Sequence, residues 1–241
     1  MFIFRFFKSL SIWCLLSLLF VLGHAPSLKA SESKVKKLMR ATAYEKDSEK
    51  VLYKEHHTLT YGNDHKLLTS HTQYFSPDGK LIAEMKSDYK QSLMMPTYVF
   101  EDHRLGAKEG LELRDGKYYI FNEKAGNRAE KVIDEPQGIF SCQGWHYYIV
   151  ENMSQIENKD LSLNLLFPSK LDYYSFDLQK QSSKGKTLEL RLEFSNWFVR
   201  LFAPRLDLTY DTEKKKLLSY LGPSNILDQE GEIQYVKVVY E

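Results

Sequence analysis

From about residue 38 to its end, the chain is interrupted by turn-forming residues at intervals of roughly eight to twelve positions. Between these breaks lie short runs such as "LMRATAYEK", "KVLYKEHHTLTY", "KLLTSHTQYF", "KLIAEMKSDY", "PTYVFEDHR" and "KYYIFNEK", bounded by Gly, Asn, Asp, Ser or Pro. A chain written this way has few choices. Runs this short do not carry long helices, and breaks this frequent favour strands that fold back on their neighbours. The expected fold is mainly β, an antiparallel all-β domain.

The breaks have the chemistry of hairpins. In "YFSPDGKL", Pro77 pre-sets the first central turn position, Asp78 tolerates the second and Gly79 supplies the positive φ that leaves the turn. "LRDGKYYI" turns at Asp115-Gly116. "DTEKKKLLSY" turns through Asp211 to Lys215, and "LDQEGEIQY" near Gly231. In "TLELRLEF", Leu188, Leu190, Leu192 and Phe194 point one way, and Glu189, Arg191 and Glu193 the other. That strand has one dry and one wet face. "KYYIFNE" puts aromatic rings on both faces, so something must cover it from each side. Glu84 and Asp88 share a face of their strand but lie about 13 Å apart, too far to act as a pair on one bond.

Two segments depart from strand character. Trp145, Tyr148, Ile149, Met153 and Ile156 recur at helical spacing, which predicts a helix over about 144–157. "SNWFVRLFAP" reads as a short helix capped by Ser195 or Asn196 and stopped by Pro204, or as a bulged strand.

The first thirty residues read as a leader. "MFIFRFFKSL" carries Arg5 and Lys8, "SIWCLLSLLFVLG" is an uncharged apolar run of thirteen residues, and "HAPSLKA" ends on the small Ala30. The run is shorter than the roughly 20 residues that cross a bilayer, so a cleaved secretory signal over 1–30 is preferred to an uncleaved anchor in the inner membrane. Residues 31–241 then form a single β-rich domain. Loss of Arg5, Lys8 and Lys29 takes Lys+Arg from 33 to 30 against 32 Asp+Glu, a formal charge of −2. Such a chain presents no bulk positive field to nucleic acid or an anionic surface. Only Cys142 remains, without a partner for a disulfide.

The motifs of common chemistries are missing. There is no HExxH, no CxxC, no G-x-S-x-G and no phosphate-cradling glycine loop. His56 and His57 are adjacent and face opposite ways on a strand. His57, His65 or His71 with a carboxylate from a neighbouring strand is the remaining arrangement for a metal, and no spacing favours it; no metal and no cofactor are expected. Cys142 and His146 would be neighbours on a helix, the one nucleophile–base pair on offer, although both suit packing better. The 16 tyrosines and 14 phenylalanines point instead to an apolar trough. Trp145, Tyr148, Trp197 and Phe198 are the expected ligand-binding residues, and no catalytic residue is assigned.

The sequence "LDLTYDTEKKKLLSYLGPSNILDQEGEIQYVKVVY", preceded by "QGWHYYIVEN", resembles a family of exported proteobacterial proteins of unknown function. That resemblance spans roughly residues 70–241. It implies a Gram-negative periplasmic location and an architecture related to the half-barrel of the lipoprotein-localisation factors: a single strongly curved antiparallel sheet of about a dozen strands wrapped around one or two short helices. No functional residue of those factors has a counterpart here. The functional expectation is therefore a periplasmic, non-enzymatic carrier of an apolar ligand, a lipid or lipidated chain, in the concave face of the sheet. The alternatives are a hydrolase with a site assembled from distant strands, or an envelope assembly factor that contacts a protein partner through a sheet edge.

Overall fold

The computed structural model describes residues 34–134 and 137–241; the expected leader, 1–30, lies outside them. Glu32–Glu241 forms one compact unit. Its strands are β1 (Val35–Glu45), β2 (Val51–Tyr61), β3 (Leu67–Phe75), β4 (Leu81–Asp88), β5 (Thr97–Asp102), β6 (Ala107–Arg114), β7 (Lys117–Lys124) and β8 (Asn127–Ile133), then β9 (Ile139–Phe140). After α1 (Trp145–Glu151) and α2 (Met153–Ile156) come β10 (Leu161–Phe167), a 3-10 turn (Pro168–Lys170), β11 (Asp172–Lys184) and β12 (Thr187–Phe194). Then α3 (Trp197–Arg200), β13 (Leu206–Asp211), β14 (Lys216–Pro223) and β15 (Tyr235–Tyr240) complete the chain.

All fifteen strands belong to one sheet, in the order β8-β7-β6-β5-β4-β3-β2-β1-β15-β14-β13-β12-β11-β10-β9. The chain starts in the middle, meanders out to β8, crosses to the opposite edge at β9, and meanders back. Its first and last strands then pair, Ala41 opposite Tyr240. Every pairing is antiparallel except β9 with β10. The sheet is open but rolled: the far strands approach each other through side chains instead of a ladder. Asn122 Nδ2 of β7 donates to the Pro168 carbonyl at 2.8 Å, and Lys131 of β8 lies 3.1 Å from Asp172 at the start of β11.

The turns form where the sequence places them. Asp115 and Gly116 both have positive φ (51° and 76°), Gly79 leaves its turn at 87°, and Lys215 takes 51°. The aromatic strand β7 is covered on both sides. Ile120 joins the core, while on the outer face Arg114 lies 3.7 Å over the Tyr119 ring and Arg128 3.9 Å over Phe121. The same two arginines bind Glu112 and Glu130, so the covering is a tied four-residue network.

The interior has two cores. In the β9–β15 half, Leu178, Leu188, Leu190, Leu192 and Tyr210 are fully buried against Ile149, Met153 and Ile156 of the helices. Each buried leucine contributes about 2 kcal/mol of transfer free energy. The predicted helix over 144–157 is two helices broken at Asn152 (φ −104°, ψ 13°), whose Nδ2 donates to the Tyr148 carbonyl at 2.9 Å. Asparagine bonds to nearby backbone more readily than it continues a helix. In the β1–β8 half the core draws no side chain from the described α-helices. Ala41, Ala43, Tyr53, Tyr74, Tyr98 and Phe100 pack together in the hollow of the sheet, and Ile226, carried by the segment between β14 and β15, packs with them at one end. The Tyr53 and Ser224 hydroxyls hydrogen-bond there at 2.8 Å, and Arg104 Nη2 donates to the Leu227 carbonyl at 3.0 Å.

Candidate functional site

The register fixes what faces the hollow. Ser70, Ser87, Tyr98 and Leu111 pair in one row across β3–β6; Thr72, Met85, Phe100 and Glu109 form the next. Polar groups thus sit among the apolar ones, more than the dry inner face expected from the alternation. His57 Nε2 lies 2.8 Å from Glu55 Oε2, and its Nδ1 lies 2.9 Å from Thr72 Oγ1. This carboxylate–imidazole–hydroxyl chain has the order of a nucleophilic relay, but Thr72 is only 2% exposed, so its oxygen has no access to a substrate. The relay satisfies buried polar groups and fixes the strands.

Further along the hollow the polar groups are less well satisfied. The hydroxyls of Tyr98 and Ser87 are buried and make no well-formed hydrogen bond; the Cys142 thiol stands beside the first and the Tyr89 hydroxyl beside the second. Beside Tyr98 lies Cys142, with Tyr74, Tyr89 and Glu109 close by. Cys142 has accessible surface, yet desolvation by the surrounding protein pushes its thiol up to about 11. Burial likewise pushes Glu109 up to about 7.

The end of the hollow opposite Ile226 carries a cleft of about 460 Å³, walled by Tyr61, Leu67, Leu68, Tyr89, Leu93 and Tyr147. The Tyr89 and Tyr147 rings meet edge to face at 5.6 Å. Burial holds the Tyr89 hydroxyl up at about 12 and that of Tyr147 higher still, so both are neutral. Lys66 and Lys90 stand at the rim, each beside its own aspartate, Asp64 at 3.0 Å and Asp88 at 2.8 Å. The rim charges are thus locally paired, and the cleft's volume falls within the usual range for small-molecule sites.

The residues expected to bind ligand occupy two other places. Trp145 and Tyr148 pack on the core of the β9–β15 half, Tyr148 against Phe140 at 4.5 Å between ring centres. Trp197 and Phe198 stand outside, in contact with each other on α3. The cleft instead uses Tyr147, the neighbour of Tyr148. The adjacent ring points about 100° further round the helix. Tyr61 and Tyr89 carried no local signal, since only the β2–β3–β4 pairing brings them together.

Cys142 and His146 do not form a catalytic pair. Cys142 precedes α1, so the helical spacing that would align them is absent. His146 Nδ1 is 3.0 Å from the Tyr210 hydroxyl, its ring stacks on Tyr210, and burial lowers its pKa to about 4. A neutral thiol and a weakly basic imidazole are held by opposite halves of the sheet. The histidines considered for a metal are also separated: His57 faces inward, while His71 lies on the outer face, 2.7 Å from Glu84, which His103 also approaches at 3.3 Å. Partial burial works against the charged form of Glu84, but these imidazoles and Lys86 hold its carboxyl below the usual range. Among the described residues, no group of three or more His, Cys, Asp or Glu is arranged to hold a metal, and no helix is long and apolar enough to cross a membrane.

No family model and no curated protein matches this chain. Among solved structures it is similar to the crystal structure of a beta-barrel-like protein of domain of unknown function DUF1849 from Brucella abortus. The two share 9% identity over 87% of this chain and 97% of the other, with a TM-score of 0.37.

Proposed function

We propose that the protein is a non-enzymatic binding protein, exported to the periplasm by its N-terminal leader, that holds an apolar ligand in the tyrosine-walled cleft. One observation carries the reading: six apolar or tyrosine side chains from β2, β3, α1 and the β4–β5 segment converge on a cleft with locally paired charges at one end of the hollow. Paired rim charges favour an uncharged chain over an anion, because no unbalanced cation waits for it. An acyl chain of a lipid or of a lipidated polypeptide has that chemistry. The hydrolase alternative loses support from the divergent partners of Cys142 and His146. Contact through a sheet edge is weakened by the charged edge strand β8, which carries Arg128, Glu130 and Lys131.

The test is displacement of an environment-sensitive naphthylamine probe by fatty acids and phospholipids, with organic extracts of gently purified protein read by mass spectrometry. Leu68→Trp fills the cleft and is expected to weaken probe binding at least about tenfold, the cost of losing one well-buried contact region. Probe binding that Leu68→Trp leaves unchanged, with no lipid in the extract, refutes the assignment.

A further inference from the structure

The turn between β12 and β13 is built inside out. Trp197 is 72% exposed, Phe198 58%, Leu201 66% and Phe202 79%, while the one long polar side chain among them, Arg200, is turned toward the body. Arg200 Nη2 donates to Asp177 at 2.8 Å and Nε to the Phe194 carbonyl at 2.8 Å; Glu193 lies 3.6 Å away. Asn196 Oδ1 accepts from the Phe198 and Val199 amides and fixes the start of α3. An ordinary surface turn shows its charge to water and tucks its rings away. Here the charge network is spent on holding the rings out.

Three further features narrow what meets them. First, the side chains sit on the connection between the paired strands β12 and β13, where Trp197 meets Phe198 and Phe198 meets Phe202 ring to ring, an exposed cluster suited to a soft, deformable phase. Second, no carboxylate occurs from Ser195 to Leu206, whereas Arg205 stands beside the rings with its side chain 55% exposed. Asp207, 3.6 Å from Arg205, is held more closely by Arg191 at 2.7 Å. Third, the strand register places another exposed apolar residue, Ile233, at the same end of the sheet. Asp207 of β13 pairs with Leu221, and Pro223 with Tyr235, whose hydroxyl donates to the Arg205 carbonyl at 2.7 Å; Ile233, two residues before Tyr235, is also exposed. Tryptophan, phenylalanine and leucine with an adjacent arginine match the headgroup–acyl boundary of a bilayer carrying anionic lipid.

We propose that Trp197, Phe198, Leu201 and Phe202 form a membrane-docking tip that inserts into an anionic bilayer surface, with Arg205 on the lipid phosphates. The tip lies at the Ile226 end of the sheet, so a docked molecule keeps its tyrosine cleft on the side away from that bilayer. This inference stands apart from the ligand reading, since it uses none of the cleft residues.

The compact unit Glu32–Glu241 holds every described element and both cores, so it serves as the test protein, free of the apolar run at 11–23. Trp145→Phe leaves Trp197 as its single tryptophan. Mixed with vesicles of phosphatidylcholine and phosphatidylglycerol, Trp197 emission is expected to shift blue and to be quenched by lipids brominated on the acyl chain. Trp197→Ser with Phe202→Ser is expected to lower vesicle partitioning at least about tenfold with unchanged circular dichroism, since the tip touches little of the core. Arg205→Glu lowers binding to the anionic vesicles and not to pure phosphatidylcholine. Absence of wild-type binding to the anionic vesicles, or equal binding by the double variant, overturns the proposal. So does a concentration-dependent dimer that the double variant abolishes while vesicles leave wild-type Trp197 emission unmoved.

Discussion

Two buried titratable side chains, Glu109 and His146, set opposing pH dependences. Burial raises Glu109 from the ordinary 4.5 to about 7, so between those values the folded state binds more protons than the unfolded one. Its contribution is complete below about 4.5 and is lost as pH rises to 7. Burial lowers His146 from 6.5 to about 4, so its contribution is complete above 6.5 and is lost as pH falls to 4. Between 4.5 and 6.5 the two slopes oppose, and these two groups together leave wild-type stability nearly flat. Each shift is worth at most roughly 3 kcal/mol, reduced by whatever hydration each partly accessible group keeps. Glu109→Gln should therefore lose stability on acidification through that window and gain it, relative to wild type, at pH 8. His146→Gln should lose stability as pH rises through it. Urea unfolding midpoints at three pH values decide the matter; parallel curves for all three proteins would show that neither group is desolvated as described.

Among the elements, the short connections were the most legible and the long-range ones the least. Asp115-Gly116 and Pro77-Asp78-Gly79 are local chemistry that the sequence shows directly, while it narrows the α3 cap only to Ser195 or Asn196, of which the structure uses Asn196. The need to cover both faces of β7 could also be read, though not that Arg114 and Arg128 meet it. The cleft was illegible because Tyr61, Tyr89 and Tyr147 join only through strand pairing and the crossing from β8 to the far edge. One glycine decides how that crossing lands. Gly144, just before α1, runs so close to the β4–β5 segment that a Cβ there would lie 1.8 Å from the Met94 carbonyl oxygen. Its φ of −98° suits any residue; the close approach alone requires glycine. Gly144→Ala is expected to cost about 2 kcal/mol or more by forcing backbone apart. It should also weaken probe binding, since Ser92, Leu93 and Tyr147 line the cleft on either side of that contact. Gly62→Ala is the control: its Cβ would meet only side chains, the Asp64 carboxylate at 3.0 Å and the Leu68 methyls at 3.6 and 3.7 Å, which can shift without parting backbone. Equal effects from both substitutions would argue against a special contact at Gly144.

At the scale of the molecule, the sheet has two closures of different strength. The β1–β15 seam is a hydrogen-bonded ladder that joins the two ends of the chain. The other closure, where β7 and β8 meet the 3-10 turn and β11, rests on Asn122 to Pro168, Lys131 to Asp172, and the shared packing of Ile133, Leu166 and Leu171. The lysine pair is half exposed on both sides and contributes little. The Asn122 bond is the directional element, worth about 1 kcal/mol, and its loss also leaves the Pro168 carbonyl without that donor. Local opening should therefore begin there, because a few side-chain contacts separate at less cost than a full ladder. Asn122→Ala is expected to lower global stability by only about 1 kcal/mol. Yet it should speed amide exchange severalfold in β7, β8, the end of β10 and the start of β11, with β1 and β15 unchanged. Hydrogen exchange read by mass spectrometry separates the two cases. Uniform acceleration across both seams would mean that the rolled sheet opens as one unit and that the second closure is not a separate hinge.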